Sequence, residues 1–429
     1  MTKQGQKPIE VGLVLQGGGA LGAYEWGAVT ALLELMDEAE TAGREVALKG
    51  VTGVSIGAIN AACIVGSHGR ADARRRLKEL WEDLRLDAPS FLPAQVQRDL
   101  AFFGLPGFYA PRMDVWALPG WKYLYDTSPL IETLRRHVDF KALNASPTTF
   151  VVTAVDVVSG VLTRFRNHPH PREGKDRPPP KREADHVCAI EPRHILASGS
   201  LAPQFPWVEI GGASYWDGGL VDNTPLGDAI DAFSDDPDAD RRLVVMNLYP
   251  LRARLPQNLA EVQDRVHELS FGNRLRQDHD GANRVNDLIG TICELAALLP
   301  KGKIAGKLEA RVERANRFKR IEILDLDMQD PEHSPLPGRQ EAEQDPADDQ
   351  DGLRDFSPVT VERRRAHGYE FARRQLGPWF EGKDRRSILE IADEMPLPKR
   401  GRPLTSRDIE DAVGQAMAEQ DHRTRGRKR

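Results

Sequence analysis

Ile9 to Leu15 is an apolar run with β-branched residues, and it ends in Gln16-Gly17-Gly18-Gly19. This pattern predicts a buried strand followed by a glycine loop. From Gly22 to Glu40 the apolar positions Trp26, Val29, Leu32, Leu33 and Met36 fall at helical spacing. A second strand, Val46 to Val51, leads into Gly53-Val54-Ser55-Ile56-Gly57, and a helix of small apolar residues follows to about Val65. Strand, loop, helix, strand, turn, helix is the pattern of a parallel sheet covered on both faces. Gly50 to Ser67 carries no charge and approaches membrane-spanning length. Its Gly53, Ser55, Gly57, Asn60 and Gly66 make it a strand, a sharp turn and a buried helix instead.

Ala71 to Leu84 reads as a basic amphipathic helix. From about Asp87 the period is lost, and nine aromatic residues crowd between Phe91 and Tyr125 among prolines and glycines. Ser128 is placed to cap a new helix with Pro129 at its first position. Phe150 to Val157 and Val161 to Arg166 flank Val158-Ser159-Gly160 as a hairpin. Asn167 to Asp185, charged and containing Pro178-Pro179-Pro180, is a surface loop. Val208 to Ile210 and Tyr215-Trp216 read as short strands around Gly211-Gly212, and Leu243 to Leu248 as another apolar strand. Beyond Leu255 the pattern turns helical and charged, with one more strand expected over Ile321 to Leu326 and a last helix over Val359 to Gln375.

Composition narrows the classes. A formal net charge of -6 over 429 residues is unlike a general nucleic-acid binder, so no nucleic-acid partner is expected. Cys63, Cys188 and Cys293 are few, odd in number and far apart. That suits reduced thiols and a cytoplasmic location better than a disulfide framework. No His, Cys or carboxylate cluster stands at ligand spacing, so neither a metal nor another cofactor is expected.

The chemistry concentrates at three places. Gly53-Val54-Ser55-Ile56-Gly57 fits G-x-S-x-G between an apolar strand and a helix, the context that gives the pattern meaning. A serine on such a turn adopts strained backbone angles, and small neighbours are needed for strand and helix to approach. Its hydroxyl then projects at a helix N-terminus, where developing negative charge is favoured. Gly17-Gly18-Gly19-Ala20-Leu21-Gly22 also satisfies G-x-G-x-x-G, the dinucleotide fingerprint. That use requires a carboxylate at the end of the second strand, where this chain has Ser55. The other use is an oxyanion hole built from the backbone N–H groups of Gly17, Gly18, Gly19 and Ala20. The third place is Asp217, at a strand end before Gly218-Gly219, where it can accept the serine proton. No histidine has a comparable setting; His267 and His279 fall in charged helical sequence.

These residues resemble the patatin-like phospholipases and lipid acyl hydrolases. The glycine loop Gly17 to Gly22, the elbow Gly53 to Gly57, and Asp217-Gly218-Gly219 with Asn223 and Pro225 match the family's motifs in order. Ala197-Ser198-Gly199-Ser200-Leu201-Ala202-Pro203 is similar to its Ala-Ser-rich loop, and the whole resemblance spans about Val11 to Leu248. It implies a three-layer α/β/α fold with a mainly parallel central sheet, and a Ser55–Asp217 dyad without histidine. Ser55 attacks an ester carbonyl; Asp217 takes its proton and then activates water against the acyl-enzyme. Many relatives have Arg or Lys where this chain has Leu21; the backbone donors do not depend on it.

The implied organisation is a catalytic domain over 1–254, with an aromatic-rich insertion at about 87–126. A mainly helical extension follows over 255–326, an acidic linker expected to be disordered over 327–357, and a helical segment with a basic tail over 358–429. The implied partner is an acyl lipid, with peripheral contact at a lipid surface. The competing classes are a histidine-dependent α/β-hydrolase, a catalytically silent lipid-binding scaffold and a dinucleotide-binding protein.

Overall fold

The computed structural model describes residues 7–86, 96, 100–169, 184–236, 239–249, 255–256, 262, 265–272, 281, 284, 286, 288, 291, 321–328 and 353–380. The sheet is built around β1 (Ile9–Leu15), every residue of which is buried. A strand covered on both faces cannot alternate apolar with polar residues, and this one does not. β1 pairs in parallel with β2 (Val46–Gly53) on one side and with β10 (Asp240–Asn247) on the other. β10 in turn pairs in parallel with β11 (Glu322–Asp327). Beyond β2 come β5 (Thr149–Asp156), β6 (Leu162–Arg166) and β7 (Asp185–Val187), so the main path runs β11-β10-β1-β2-β5-β6-β7.

Helices cover the sheet. α1 (Gly22–Thr41) follows β1, and α2 (Ile56–Val65) and α3 (Arg70–Leu84) follow β2. α4 (Ser128–His137) and α5 (Phe140–Ala145) precede β5, α6 (Pro192–Ser198) follows β7, and α7 (Leu226–Asp231) precedes β10. α7 packs Leu226 and Ala229, with Phe233 just beyond its end, onto Val14, Leu243 and Val245 of the sheet. This is the three-layer α/β/α arrangement, with mainly parallel strands. Among the described residues no helix is long and apolar enough to cross a membrane.

Two short strands give the sheet its functional shape. β8 (Val208–Ile210) and β9 (Ala213–Asp217) form a hairpin about Gly211 and Gly212, both at positive φ. β9 pairs with β5 antiparallel, opposite Ala154 to Asp156. On the same edge of β5, β2 pairs only as far as Gly53 opposite Val152. β9 therefore takes over where β2 ends.

Several boundaries differ from the sequence expectations. Thr127, not Ser128, precedes α4; Ser128 is its first residue, and its hydroxyl donates to Asp126. The second insertion strand, β4 (Tyr125–Asp126), pairs with β3 (Ala110–Pro111). Residues 170–183 of the charged loop and most of 250–320 lie outside the described residues. β11, at the end of the expected helical extension, joins the central sheet. The acidic segment 327–357 is not a linker throughout: Asp327 belongs to β11, and Asp355, Phe356 and Ser357 are buried. Residues 329–352 between them lie outside the described residues.

α8 (Pro358–Phe380) follows directly, and residues through Leu376 belong to one compact unit with the sheet. α8 crosses α1 where Gly27 and Gly368 face each other's backbone. Tyr369 donates to Glu34 at 2.7 Å, and Arg373 to Glu38 at 2.6 Å, along the same crossing.

A methyl group at Gly368 would overlap the Tyr24 carbonyl oxygen, and one at Gly27 would overlap that of Arg365. Neither backbone can retreat without moving a helix. Gly368→Ala is expected to lower the melting temperature by several degrees, from an overpacking cost of about 1–3 kcal/mol. Gly120→Ala, which meets nothing within 4 Å, is the matched control and should melt like the wild type.

Candidate functional site

The glycine loop and the elbow start at the same level of the sheet, because Leu15 pairs with Gly53 at the ends of β1 and β2. Val54 N–H donates back to the Leu15 carbonyl at 3.2 Å. Ser55 then adopts φ 53°, and it is the only non-glycine residue at positive φ among the described residues. α2 begins at the next residue. Gly57 sits against the end of β1, and a Cβ there would stand 2.5 Å from the Leu15 carbonyl oxygen. This contact gives the second glycine of the elbow its physical reason. Gly53 packs against the Gly57 backbone, and Gly22 against the Ile56 side chain.

β9 delivers Asp217. Asp217 pairs with Ala154, two residues further along β5 than Val152, the partner of Gly53. At about 3.3 Å per residue this is a span that two side chains can bridge. The Ser55 hydroxyl donates to the Asp217 carboxylate, which also accepts Gly219 N–H at 2.8 Å. Asp217 is 2% exposed, and burial pushes its carboxyl up to about 7 against those two hydrogen bonds. Gly218 lies against the Thr153 backbone, which lets the chain after Asp217 turn beneath β5.

The Ala-Ser-rich loop holds both partners. Ser55 N–H donates to Ser198 Oγ at 2.9 Å, and Asp217 N–H donates to the Ser200 carbonyl at 3.0 Å. These roles were not legible from residue type. The only signal was the motif likeness of residues 197–203.

Several N–H groups of the glycine loop already have partners, which narrows the expected oxyanion hole. Gln16 N–H goes to the buried Glu25 carboxylate. Gly17 N–H donates to Asn223 Oδ1 at 3.0 Å, Ala20 N–H to the Leu353 carbonyl at 2.8 Å and Leu21 N–H to the Gly18 carbonyl at 3.0 Å. Gly17 and Ala20 are therefore engaged within the protein. Gly18 and Gly19 keep N–H groups for which the described residues provide no partner. The loop does reach the elbow: a Cβ on Gly17 would stand 2.9 Å from Ser55 Cβ. Among the described residues no hydrogen bond links a histidine to Ser55 or Asp217.

Around the loop lies a second buried carboxyl that the helical pattern of α1 concealed. Glu25 is fully buried and accepts from Asn60 Nδ2 at 2.9 Å; Asn60 Oδ1 accepts Trp81 Nε1–H at 3.0 Å. Burial pushes Glu25 up to about 8. Tyr249, also buried, donates from its hydroxyl to the Gly17 carbonyl at 2.8 Å. Its own ionisation is held far above the usual phenol range by burial and by the nearby Asp217 and Glu25.

The aromatic insertion packs against the loop that leads to Asp217. Leu124 and Tyr125 N–H both donate to the Gln204 carbonyl at 3.0 Å, and Phe108, Tyr109 and Tyr125 cluster on Phe205. Arg112 lies 4.5 Å from the ring centroids of both Trp121 and Tyr123 and pairs with Asp114. Phe102, Phe103, Met113 and Trp116, by contrast, are 69–82% exposed. Phe91 lies outside the described residues.

Raised carboxyls tie stability to pH with a definite sign. An acid whose folded pKa exceeds its unfolded value keeps a proton that the unfolded chain loses, so stability drains as pH rises through the interval. For Asp217 the interval runs from 3.8 to about 7, and for Glu25 from 4.5 to about 8. Asp217→Asn and Glu25→Gln should therefore gain melting temperature relative to wild type between pH 4 and pH 9. Parallel melting curves across that range would show that neither carboxyl is shifted.

The patatin-like phospholipase family model matches residues 13–230, just over half of the chain. No curated protein matches it. Among solved structures it is similar to VipD from Legionella pneumophila, at 12% identity and a TM-score of 0.35, with 88% of this chain and 69% of that chain covered. It is similar also to the heterodimeric ExoU–SpcU complex of the Pseudomonas aeruginosa type III secretion system. There the identity is 17% and the TM-score 0.26, with 64% of this chain and 52% of that chain covered. The matched family span runs from within β1 through the elbow and the Asp-Gly-Gly turn into α7, and the chain belongs to the patatin-like phospholipase family.

Proposed function

We propose that the protein hydrolyses acyl esters of lipids through Ser55 and Asp217, without a histidine. The observation that carries this reading is the Ser55 hydroxyl donating to a buried carboxylate whose ionisation lies near neutral pH. A base poised there accepts a proton when ionised and returns it without a large energetic penalty. Ser55 Oγ attacks the ester carbonyl as its proton passes to Asp217. The tetrahedral oxyanion is held by Gly18 and Gly19 N–H. Its collapse expels the alcohol, which takes the proton from Asp217. Water then gives a proton to Asp217 and adds to the acyl-enzyme; collapse releases the fatty acid and returns the proton to Ser55.

The exposed aromatics of the insertion support contact with a lipid surface. Large apolar side chains held in water on the segment beside the Asp217 loop lose that cost on entering a bilayer or micelle boundary. A phospholipid, a lysophospholipid and a neutral glyceride all present the required ester, and a lipid panel distinguishes them.

Ser55→Ala and Asp217→Asn should each lower turnover of a soluble ester by several orders of magnitude. The double variant should resemble either single one, because the two groups act as a unit. The wild-type kcat/KM should rise as pH climbs through about 7, because the ionised carboxylate is the base. Full activity in Asp217→Asn would eliminate the dyad.

Phe102→Ser combined with Phe103→Ser should cut hydrolysis of long-chain lipid in vesicles far more than hydrolysis of a short soluble ester. The melting temperature should stay near wild type, because both rings are already exposed. Equal loss on both substrates would show that the rings do not meet the lipid.

A further inference from the structure

We infer that residues 353–356, which lie far outside the family span, are a positioning element of the catalytic centre: the Leu353 carbonyl holds the Ala20 amide and thereby sets the Gly18 and Gly19 amides, which have no partner among the described residues. The inference rests on the Ser55 reading above and assigns a role in it to the C-terminal part of the chain.

The contact is direct. Ala20 N–H donates to Leu353 O at 2.8 Å, across more than 300 residues of sequence. Gly19, immediately before Ala20, has φ +52°, and any Cβ there would overlap that same carbonyl oxygen. The loop backbone and the 353 backbone are thus in contact at the residues beside the candidate oxyanion donors.

The segment is anchored at its C-terminal end. Phe356 O accepts Leu86 N–H at 2.8 Å, and its ring stacks on Trp81 and meets Phe108 edge-on. Asp355 is buried and caps the start of α8, accepting Ser357 N–H at 2.9 Å and the Thr360 hydroxyl at 2.8 Å. α8 is in turn locked to α1, the helix that continues from the glycine loop, at the Gly27–Gly368 crossing.

The other end of the loop is fixed from within the family span, by Asn223 on Gly17 N–H and by Glu25 on Gln16 N–H. Without Leu353 the Ala20 side of the loop keeps only the Leu21–Gly18 hydrogen bond and the packing of Gly22 on Ile56. A glycine-rich segment has the most conformational freedom to recover when a tether is lost. Preorganised donors stabilise an oxyanion only while they stay aimed, and a displacement of about 1 Å can cost on the order of 100-fold in rate.

The test is an insertion of two glycines between Arg354 and Asp355 in the full chain. It leaves Asp355, Phe356 and α8 seated and frees the Leu353 carbonyl. Phe356→Ser is the second variant, loosening the anchor instead of the tether. Five quantities are read: kcat and KM on a short soluble ester, the labelling rate of Ser55 by a fluorophosphonate, hydrogen exchange at Ala20 N–H, and the melting temperature. The expected result is faster Ala20 exchange, with kcat and the labelling rate down by about 10- to 100-fold. KM and the melting temperature of the insertion variant should stay near wild type. Unchanged kcat despite faster Ala20 exchange overturns the inference, and a rise in kcat overturns it too, because the carbonyl would then be blocking the site. If the wild type itself is not labelled at Ser55, the failure belongs to the proposed function and not to this contact.

Discussion

The backbone of Ser55 is the constraint on which the site depends. A non-glycine residue at φ 53° costs on the order of 1–3 kcal/mol, and such a conformation persists only where its surroundings over-determine it. Here they do. Val54 N–H is tied to the end of β1, Ser55 N–H to Ser198, and the next residue is already helical, with Gly57 pressed against the Leu15 and Gln16 carbonyls. Ala58 and Ile59 N–H both donate to the Ser55 carbonyl, so the turn cannot relax without unwinding the first turn of α2. The strain keeps the hydroxyl off the helix and directs it to Asp217.

A strained serine is useful only if its base arrives at the same height of the sheet, and that is a matter of strand register. β5 carries β2 on one part of an edge and β9 on the next. A slip of β9 by one residue would send Asp217 to the opposite face, because side chains alternate along a strand. The Gly211-Gly212 turn between β8 and β9, and the Asp217 N–H bond to Ser200, resist that slip. The Ala-Ser-rich loop thereby fixes Ser55 and Asp217 together, through Ser198 to one and Ser200 to the other.

What could be read from the sequence was whatever a local pattern determines. β1 showed as an apolar run, the hairpin of β5 and β6 as two β-rich runs about Val158-Ser159-Gly160, and the elbow as small residues around a serine between strand and helix. The partners of the glycine loop were not legible. Whether Gly17 N–H is free depends on Asn223, and whether Ala20 N–H is free depends on Leu353; both are long-range contacts with no periodicity behind them. The acidic composition of 327–357 pointed to disorder because composition averages over a window. The three buried residues Asp355, Phe356 and Ser357 at its end depend instead on a helix cap and on one ring packed against Trp81. Glu25 was hidden for the opposite reason: a lone acid ordinarily faces water, and its own residue type gives no sign that α1 is buried around most of its circumference.

Two buried carboxyls near one glycine loop raise a question of charge. A second anion behind the loop would oppose the oxyanion that the proposed mechanism assigns to Gly18 and Gly19. The structure answers it by burial. Glu25, pushed up to about 8, holds its proton at neutral pH, while Asp217, near 7 and bonded to Ser55, can lose its own. Tyr249 senses both and stays protonated, its hydroxyl held on the Gly17 carbonyl. The ordering of the three groups makes Asp217 the first to ionise as pH rises, and in the proposed mechanism it is the group that must accept a proton. In that mechanism the loop amides receive the next negative charge to form, on the carbonyl oxygen, with a protonated Glu25 behind them.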